Sequence, residues 1–256
     1  MPNDYFQFRQ FTIHQGLCAM KVGTDGTLLG AWASSPSLVG HDSQPTRILD
    51  IGTGTGLIAL MMAQRFPQAQ VTAIDIDPQA VCQARENVAD SPFADRIAII
   101  EGDIRQLFSL PSKGLGDEDQ FSPPSEGQGE VVPFDTIVCN PPYFDASLES
   151  PDAQRTLARH TSSLSYRELM TCAWRLLSEG GELSVVIPFD CKTRLETEAT
   201  LAGFSLVRTC AVRTTPTKPP RRFLLAFQKH PSPLQTEELV IGSDTYKELT
   251  KAFYLH

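Results

Sequence analysis

Between Asp50 and Gly56 the chain reads Asp-Ile-Gly-Thr-Gly-Thr-Gly, three glycines at alternate positions between a β-branched apolar run and a helical pattern. A turn of this kind reverses tightly and lets a ligand approach the backbone, because glycine has no Cβ and tolerates left-handed dihedrals. The pattern around it repeats. Arg47 to Gly52 reads as a buried strand, Leu57 to Phe66 as a helix stopped by Pro67, and Gln70 to Asp75 as a second strand. A helix from Gln79 to Ala89, a strand from Ile97 to Glu101 and a fourth strand from Phe134 to Asn140 follow. Beyond them come a helix through Tyr166 to Leu177 ending at Gly180-Gly181, a strand from Glu182 to Pro188 and a helix from Thr193 to Ala202. Phe204 to Arg213 and Arg222 to Gln228 close the series as a hairpin. Strands alternating with helices specify an α/β chain with one doubly wound, mostly parallel sheet of about seven strands.

The glycine spacing narrows the ligand. Leu57 stands where a dinucleotide fingerprint needs its last glycine, and no Gly-Lys-Ser/Thr follows for a phosphate loop. Asp75 ends the second strand 19 positions after Gly56, where a carboxylate can accept both hydroxyls of a ribose. Asp103 follows the third strand, where its carboxylate or the adjoining backbone could read an adenine amino group. Each acid alone reads equally well as a cap or turn residue. Together with Gly52, Gly54 and Gly56 they indicate an adenosine-containing cofactor. The acidic pair Asp50 and Asp75 suits one bearing positive charge, as S-adenosylmethionine does with its sulfonium and ammonium groups.

At the end of the fourth strand stands Asn140-Pro141-Pro142-Tyr143, at the edge where open α/β sheets place their chemistry. An exocyclic amine on an aromatic ring is a poor nucleophile because its lone pair is delocalised. The Asn140 side-chain oxygen and the Pro141 carbonyl can accept its two N–H bonds, drawing the nitrogen toward a tetrahedral shape. Pro142 stiffens the backbone, and Tyr143 offers a face to a planar substrate. Such chemistry is mostly alignment and needs no strong base. His160 is not required by it and reads as surface.

Charge is divided unevenly. The 256 residues carry a formal net charge of -8, which excludes a generally basic coat protein. Residues 48 to 150 hold 5 basic and 16 acidic side chains, whereas residues 151 to 230 hold 12 basic and 7 acidic. Val207 to Lys229 contains six cations and no acid, a run that reads as either a solvated face or a nucleic-acid surface. The six cysteines show no Cys-x-x-Cys spacing and the histidines no ligand spacing, so neither a disulfide framework nor a metal site is expected. No apolar stretch is long enough to cross a bilayer, and a cytoplasmic location is expected. Residues 1 to 46 lack a strong period and read as a cap segment preceding the domain at 47 to 256. Pro111 to Glu130, rich in Gly, Pro, Ser and acid, reads as a disordered insertion. Trp32 and Trp174 read as core anchors, and Phe253 with Tyr254 as docking the last helix on the sheet.

The stretches DIGTGTG, AIDIDPQAV, NVADSPFADRI and NPPYF resemble class I S-adenosylmethionine-dependent methyltransferases, which have a Rossmann-like fold. The opening FRQFTIHQGLCAMKVGTDGTLLGAWA is similar to the narrower family of valine-tRNA adenine N6-methyltransferases, which modify the adenine immediately 3′ of the anticodon, position 37. The likeness extends through Arg155-Thr-Leu-Ala-Arg159, through Lys218-Pro-Pro-Arg221-Arg222 and to Leu249 through Leu255, nearly the whole chain. It implies that Gly52, Gly54, Asp75 and Asp103 hold the cofactor, that Lys21 to Asp25, with Thr24, close over its methionine end, and that Asn140 to Tyr143 hold the target base. The partner implied is tRNA, for which Arg155, Arg159, Lys218, Arg221 and Arg222 would supply phosphate contacts. The insertion at 111 to 130 is longer than the family's usual link. The tetrad also resembles that of enzymes methylating a glutamine amide of release factors, and a related one serves guanine N2 methylation in ribosomal RNA. A non-catalytic adenosine-binding assembly factor is the remaining alternative, against which the intact tetrad argues.

Overall fold

The computed structural model describes residues 4–18, 21–34, 46–109, 132–141 and 164–255. The glycine tract joins β3 (Arg47–Ile51) to α2 (Leu57–Arg65), and β4 (Gln70–Asp75), α3 (Pro78–Ala89) and β5 (Ile97–Glu101) follow. Next come β6 (Phe134–Cys139), α4 (Tyr166–Leu176), β7 (Leu177–Pro188), α5 (Lys192–Ala202), β8 (Ser205–Arg213), β9 (Arg222–Gln228), β10 (Gln235–Val240) and α6 (Asp244–Thr250). The sheet order is β10-β8-β9-β7-β6-β3-β4-β5. Strands β3 to β7 pair in parallel, β9 runs antiparallel to both β7 and β8, and β10 pairs in parallel with β8. Leu28, Leu60 and Val71 belong to one buried cluster, and Leu169, Val185 and Leu195 to another. Helices thus cover both faces, and the doubly wound sheet read from the sequence is observed.

Three readings need correction. Among the described residues the sheet has eight strands, not seven. β10 (QTEELV) buries only Leu239 fully, so it offers no apolar run to detect. At this edge its acids are used: Glu237 accepts from Trp32 Nε1 at 2.8 Å and Glu238 pairs with Arg213 at 3.1 Å. The second correction concerns Gly180-Gly181, which do not end a helix. The helix stops at Leu176 and β7 begins at once, with a register shift against β6 between Phe134 and Thr136. A Cβ on Gly181 would lie 2.9 Å from the Asp135 carbonyl oxygen, so the glycine serves a close approach of two backbones.

The third correction is at the chain ends. The first segment contains β1 (Tyr5–Gln7), paired antiparallel with β2 (Thr12–His14), and α1 (Thr24–Trp32). Phe8, Phe11, Leu28, Leu29 and Trp32 join the same buried cluster as α2. Tyr254 stacks on Phe8 at 5.9 Å and the Phe253 carbonyl accepts from the Arg9 amide at 2.8 Å. The closing aromatics therefore dock on the N-terminal hairpin, although Phe253 is also fully buried in the shared core. Trp32 is buried, as expected of an anchor, and Trp174 is half-buried beneath Phe204.

Candidate active site

The sheet order reverses between β3 and β6: β4 and β5 extend to one side, β7 and the rest to the other. At such a switch point the loops leaving the carboxyl ends of neighbouring strands diverge and leave a crevice. Into it come Gly52 and Gly54 from the end of β3, Asp75 from β4, Asp103 after β5, and Asn140 after β6. These five line one cavity of about 350 Å³, a size suited to a nucleoside-like ligand.

The glycine loop has its shape for a backbone reason. Gly52, Gly54 and Gly56 adopt φ of 70°, 56° and 81°, a region costly for other residues. The Gly52 and Thr53 amides donate to the Ile74 carbonyl at 2.9 and 3.1 Å, and the Gly54 amide donates to Asp75 Oδ2 at 2.8 Å. Nothing lies within 4 Å of where a Cβ would stand on Gly52 or Gly54, so both face open space. Gly56 instead faces Ala84 of α3, whose Cβ would be 3.5 Å away; it sets helix packing and does not line the cavity.

The two acids at these strand ends differ. Asp75 is half-buried, and its Oδ1 accepts from the Asp77 amide at 3.0 Å; with Gly54 on Oδ2, each oxygen keeps lone pairs for a ligand. Asp50 is wholly buried below the cavity. Its Oδ2 accepts from the Thr53 hydroxyl at 2.7 Å and the Ala59 amide at 3.2 Å, whereas Oδ1 has no hydrogen-bond partner among the described residues. Burial pushes its pKa up to about 7 despite those two donors.

Asp103 is already engaged. Its Oδ1 accepts from the Arg105 amide and Nε, both at 2.9 Å, and its Oδ2 pairs with Nη2 at 2.5 Å. The guanidinium holds its pKa below the ordinary carboxylate range. Both Asp103 oxygens are thus engaged by Arg105. Arg105 itself was not found from the sequence. It lines the cavity and reaches Glu168 at 3.1 Å, the residue that closes the Ser165 capping box of α4. The apolar walls Ile76, Ile104 and Leu164 and the thiol of Cys18 were missed too. Ile76 carried a signal: an apolar residue between Asp75 and Asp77 that remains 51% exposed. Burial and the nearby Asp75 raise the Cys18 thiol to about 11, so it is a neutral wall rather than a nucleophile.

Lys21, Thr24, Asp25, Lys218, Arg221 and Arg222 are not among the described residues that line this cavity. Lys21 is exposed, Thr24 is the first residue of α1, and Asp25 forms an ion pair with Arg222. Arg222 is thereby tied to α1 and is not the unpaired phosphate ligand that the charge run implied. Within that run Arg208 pairs with Glu182 at 3.1 Å, Arg213 with Glu238 and Lys229 with Glu179 at 2.9 Å. Lys218 and Arg221 are exposed and have no acidic partner among the described residues. Since β8 runs in the direction of β7, the β8–β9 connection carrying both cations stands on the cavity edge of the sheet. Pro142, Tyr143, Arg155, Arg159 and the insertion at 111 to 130 lie outside the described residues. No helix among the described residues is long and apolar enough to cross a membrane.

A family model described as a methyltransferase domain matches residues 48–114, which span the glycine loop, Asp75 and Asp103. A Bacteroides thetaiotaomicron protein named tRNA1(Val) (adenine(37)-N6)-methyltransferase is 43% identical, over 100% of this chain and 99% of its own. Proteins of the same name from Porphyromonas gingivalis and Vibrio parahaemolyticus are 44% and 40% identical. They cover 99% and 98% of this chain and 96% and 95% of theirs. Among solved structures, a predicted O-methyltransferase from Agrobacterium tumefaciens, protein Atu636, matches with a TM-score of 0.60 at 19% identity. It covers 90% of this chain and 96% of that one. The glycopeptide N-methyltransferase MtfA, solved with S-adenosyl-L-methionine, matches with a TM-score of 0.51 at 14% identity, over 82% of this chain and 90% of that one. Both share the fold. Full-length identity at this level makes the chain a methyltransferase and a member of the tRNA1(Val) (adenine(37)-N6)-methyltransferase family.

Proposed function

We propose that the protein transfers a methyl group from S-adenosylmethionine to the exocyclic N6 of the adenine at position 37 of valine tRNA, as a cytoplasmic enzyme. The observation that carries this is the meeting of Asn140 with Gly52, Gly54 and Asp75 around one cavity at the switch point. The residues suit the cofactor. Gly52 and Gly54 present open backbone, Asp75 keeps acceptor capacity for ribose hydroxyls, and Ile76, Ile104 and Leu164 offer apolar walls to a purine. The Asp75 carboxylate at the cavity makes the surroundings favourable to a cation. Asp103 and the backbone beside it are assigned to the adenine end, and Lys21, Thr24 and Asp25 to the methionine end.

When bound, the cofactor supplies an electrophilic methyl group on a sulfonium. The chain's part is alignment. The Asn140 side-chain oxygen and the Pro141 carbonyl accept the two N–H bonds of the target amine and turn its lone pair out of the ring plane. Neither acceptor takes the proton fully; the nitrogen loses it to solvent once alkylated, so no histidine or carboxylate base is needed. Pro142 fixes this backbone and Tyr143 stacks on the extruded base. Arg155, Arg159, Lys218 and Arg221 meet phosphates. Arg222 is assigned to orienting Asp25 instead.

The test is methyl transfer from labelled S-adenosylmethionine into total tRNA. Label that disappears on nuclease digestion is expected; label that survives in a polypeptide would replace this reading with glutamine methylation.

A further inference from the structure

The edge of the sheet that holds Lys218 and Arg221 also carries an aromatic ring that neither the core nor the cofactor cavity uses. Phe189 follows the last residue of β7 and is 51% exposed. Its amide donates to the Arg221 carbonyl at 3.0 Å, so it lies beside the cationic connection. The ring leans on Phe223, with centroids 6.0 Å apart and planes at 33°, and Lys192 Nζ sits 5.2 Å from the Phe223 centroid. Phe189 thus has a backing ring on one side and solvent on the other.

Its place relative to the chemistry follows from the strand register. Cys139 of β6 is opposite Val185 of β7, so Asn140 is level with Val186 and Phe189 stands three residues further out, one strand over. At ordinary strand rise and spacing that is about 11 Å from Asn140. The surrounding charge is selective. Four cations of the run are matched to acids, whereas Lys218 and Arg221 are left exposed, with Asp190 as an exposed acid next to Phe189. An exposed ring flanked by unpaired cations is the composition with which proteins bind unpaired nucleotides, rings stacking on bases and cations meeting phosphates.

We propose that Phe189 is a stacking platform for an unpaired anticodon-loop base beside the target adenine, with Lys218 and Arg221 holding the adjoining phosphates. This rests on the tRNA reading above and goes beyond it by naming the surface that receives the flanking nucleotides. Single-stranded RNA is favoured over a second copy or a protein partner because the patch lies about 11 Å from the residue that aligns the nucleophile. What fills it is therefore the substrate itself.

The experiment compares wild type, Phe189→Ala and Phe189→Trp in steady-state methylation of a full-length tRNA transcript, with melting temperature measured for each. Phe189→Ala is expected to raise KM for tRNA about tenfold, within the span of base–aromatic stacking. It should leave kcat, KM for the cofactor, the salt dependence of tRNA binding and the melting temperature nearly unchanged. Phe189→Trp should restore KM, and its added fluorescence should be quenched by an anticodon stem–loop RNA. Unchanged KM in a folded Phe189→Ala variant would overturn the proposal, as would failure of Trp to restore it or to be quenched. Wild-type protein that methylates no tRNA would overturn the functional reading and this proposal together. Normal methylation with an unaffected Phe189→Ala would overturn this proposal alone.

Discussion

The two sides of the β3/β6 boundary are built from different materials. On the β3–β4–β5 side the groups at the cavity are backbone and a short acid, glycines at φ of 70° and 56° and a carboxylate gripped by two amides, with a buried Asp50 beneath them. On the β7–β9–β8 side stand long cations and an exposed ring, most of whose neighbours are already paired. In the function proposed above, the first arrangement holds a small ligand through backbone geometry that positive φ angles restrict to glycine. The second meets a large anion through charges whose availability depends on what each one pairs with. On that reading cofactor recognition is rigid and local, and partner recognition is additive and salt-sensitive. Asn140 stands at the seam.

Substitution at the seam should have the largest effect. Asn140→Ala is expected to lower turnover by about 10²–10³-fold, the span for losing one preorganised polar group at a reacting centre. Calorimetry should show cofactor affinity within a few-fold of wild type. Retained turnover would erase the distinction between holding the cofactor and aligning the nucleophile. On the cofactor side, Asp75→Ala removes a charged acceptor and the grip on the Gly54 amide. A hydrogen bond to a charged group contributes about 1.5–3 kcal/mol, so affinity should fall by about one to two orders of magnitude. RNA binding should be nearly untouched, and parallel losses of both ligands would blur the comparison.

The cationic side predicts a weaker and differently shaped response. Changing Lys218 and Arg221 together to Ala should reduce tRNA affinity across sequences and flatten the slope of log affinity against log salt by about 1.4–1.8, two phosphate contacts' worth. Arg222→Ala should leave that slope alone, because its partner is Asp25. Equal slope changes from Arg222 and from Lys218 would show that the ion pair opens for RNA.

The smallest effect expected is on stability. Asp50 titrates at about 7 in the folded chain against an ordinary 3.8, so between those values the native state holds a proton that the unfolded state has released. Its favourable contribution is complete below about pH 4 and is lost as pH rises toward about 7. Asp50→Asn carries no charge at any pH and should remove the slope. The melting temperature of wild type should fall relative to the variant by a few degrees between about pH 5 and about pH 7.5. An unchanging difference would mean that Asp50 stays ionised.

The same contrast governs what could be read from the sequence. β3, α2, β4 and the glycine loop announce themselves because backbone demands leave residue-level traces: alternate glycines, apolar runs, and an acid at the strand end. β10 left none, since an edge strand buries little and QTEELV shows a single fully buried residue, Leu239. Gly181 was seen but misread, because a helix stop and a close backbone approach both call for glycine. Arg222 and Asp25 were expected in two different sites, and no local pattern shows that residues so distant in sequence pair with each other. Arg105 is intermediate: Asp-x-Arg is visible in Asp103-Ile104-Arg105, but that it takes up the carboxylate follows only from the geometry.

The central claim is that this cavity edge presents the N6 of one adenine to the cofactor. Its most direct test is nuclease mapping with mass spectrometry of a valine tRNA transcript incubated with the protein and S-adenosylmethionine, beside a transcript in which position 37 is guanine. The account predicts one N6-methyladenosine, confined to the fragment containing position 37 and absent from the guanine transcript. Methylation persisting on the guanine transcript, or N2-methylguanosine in either, would contradict it.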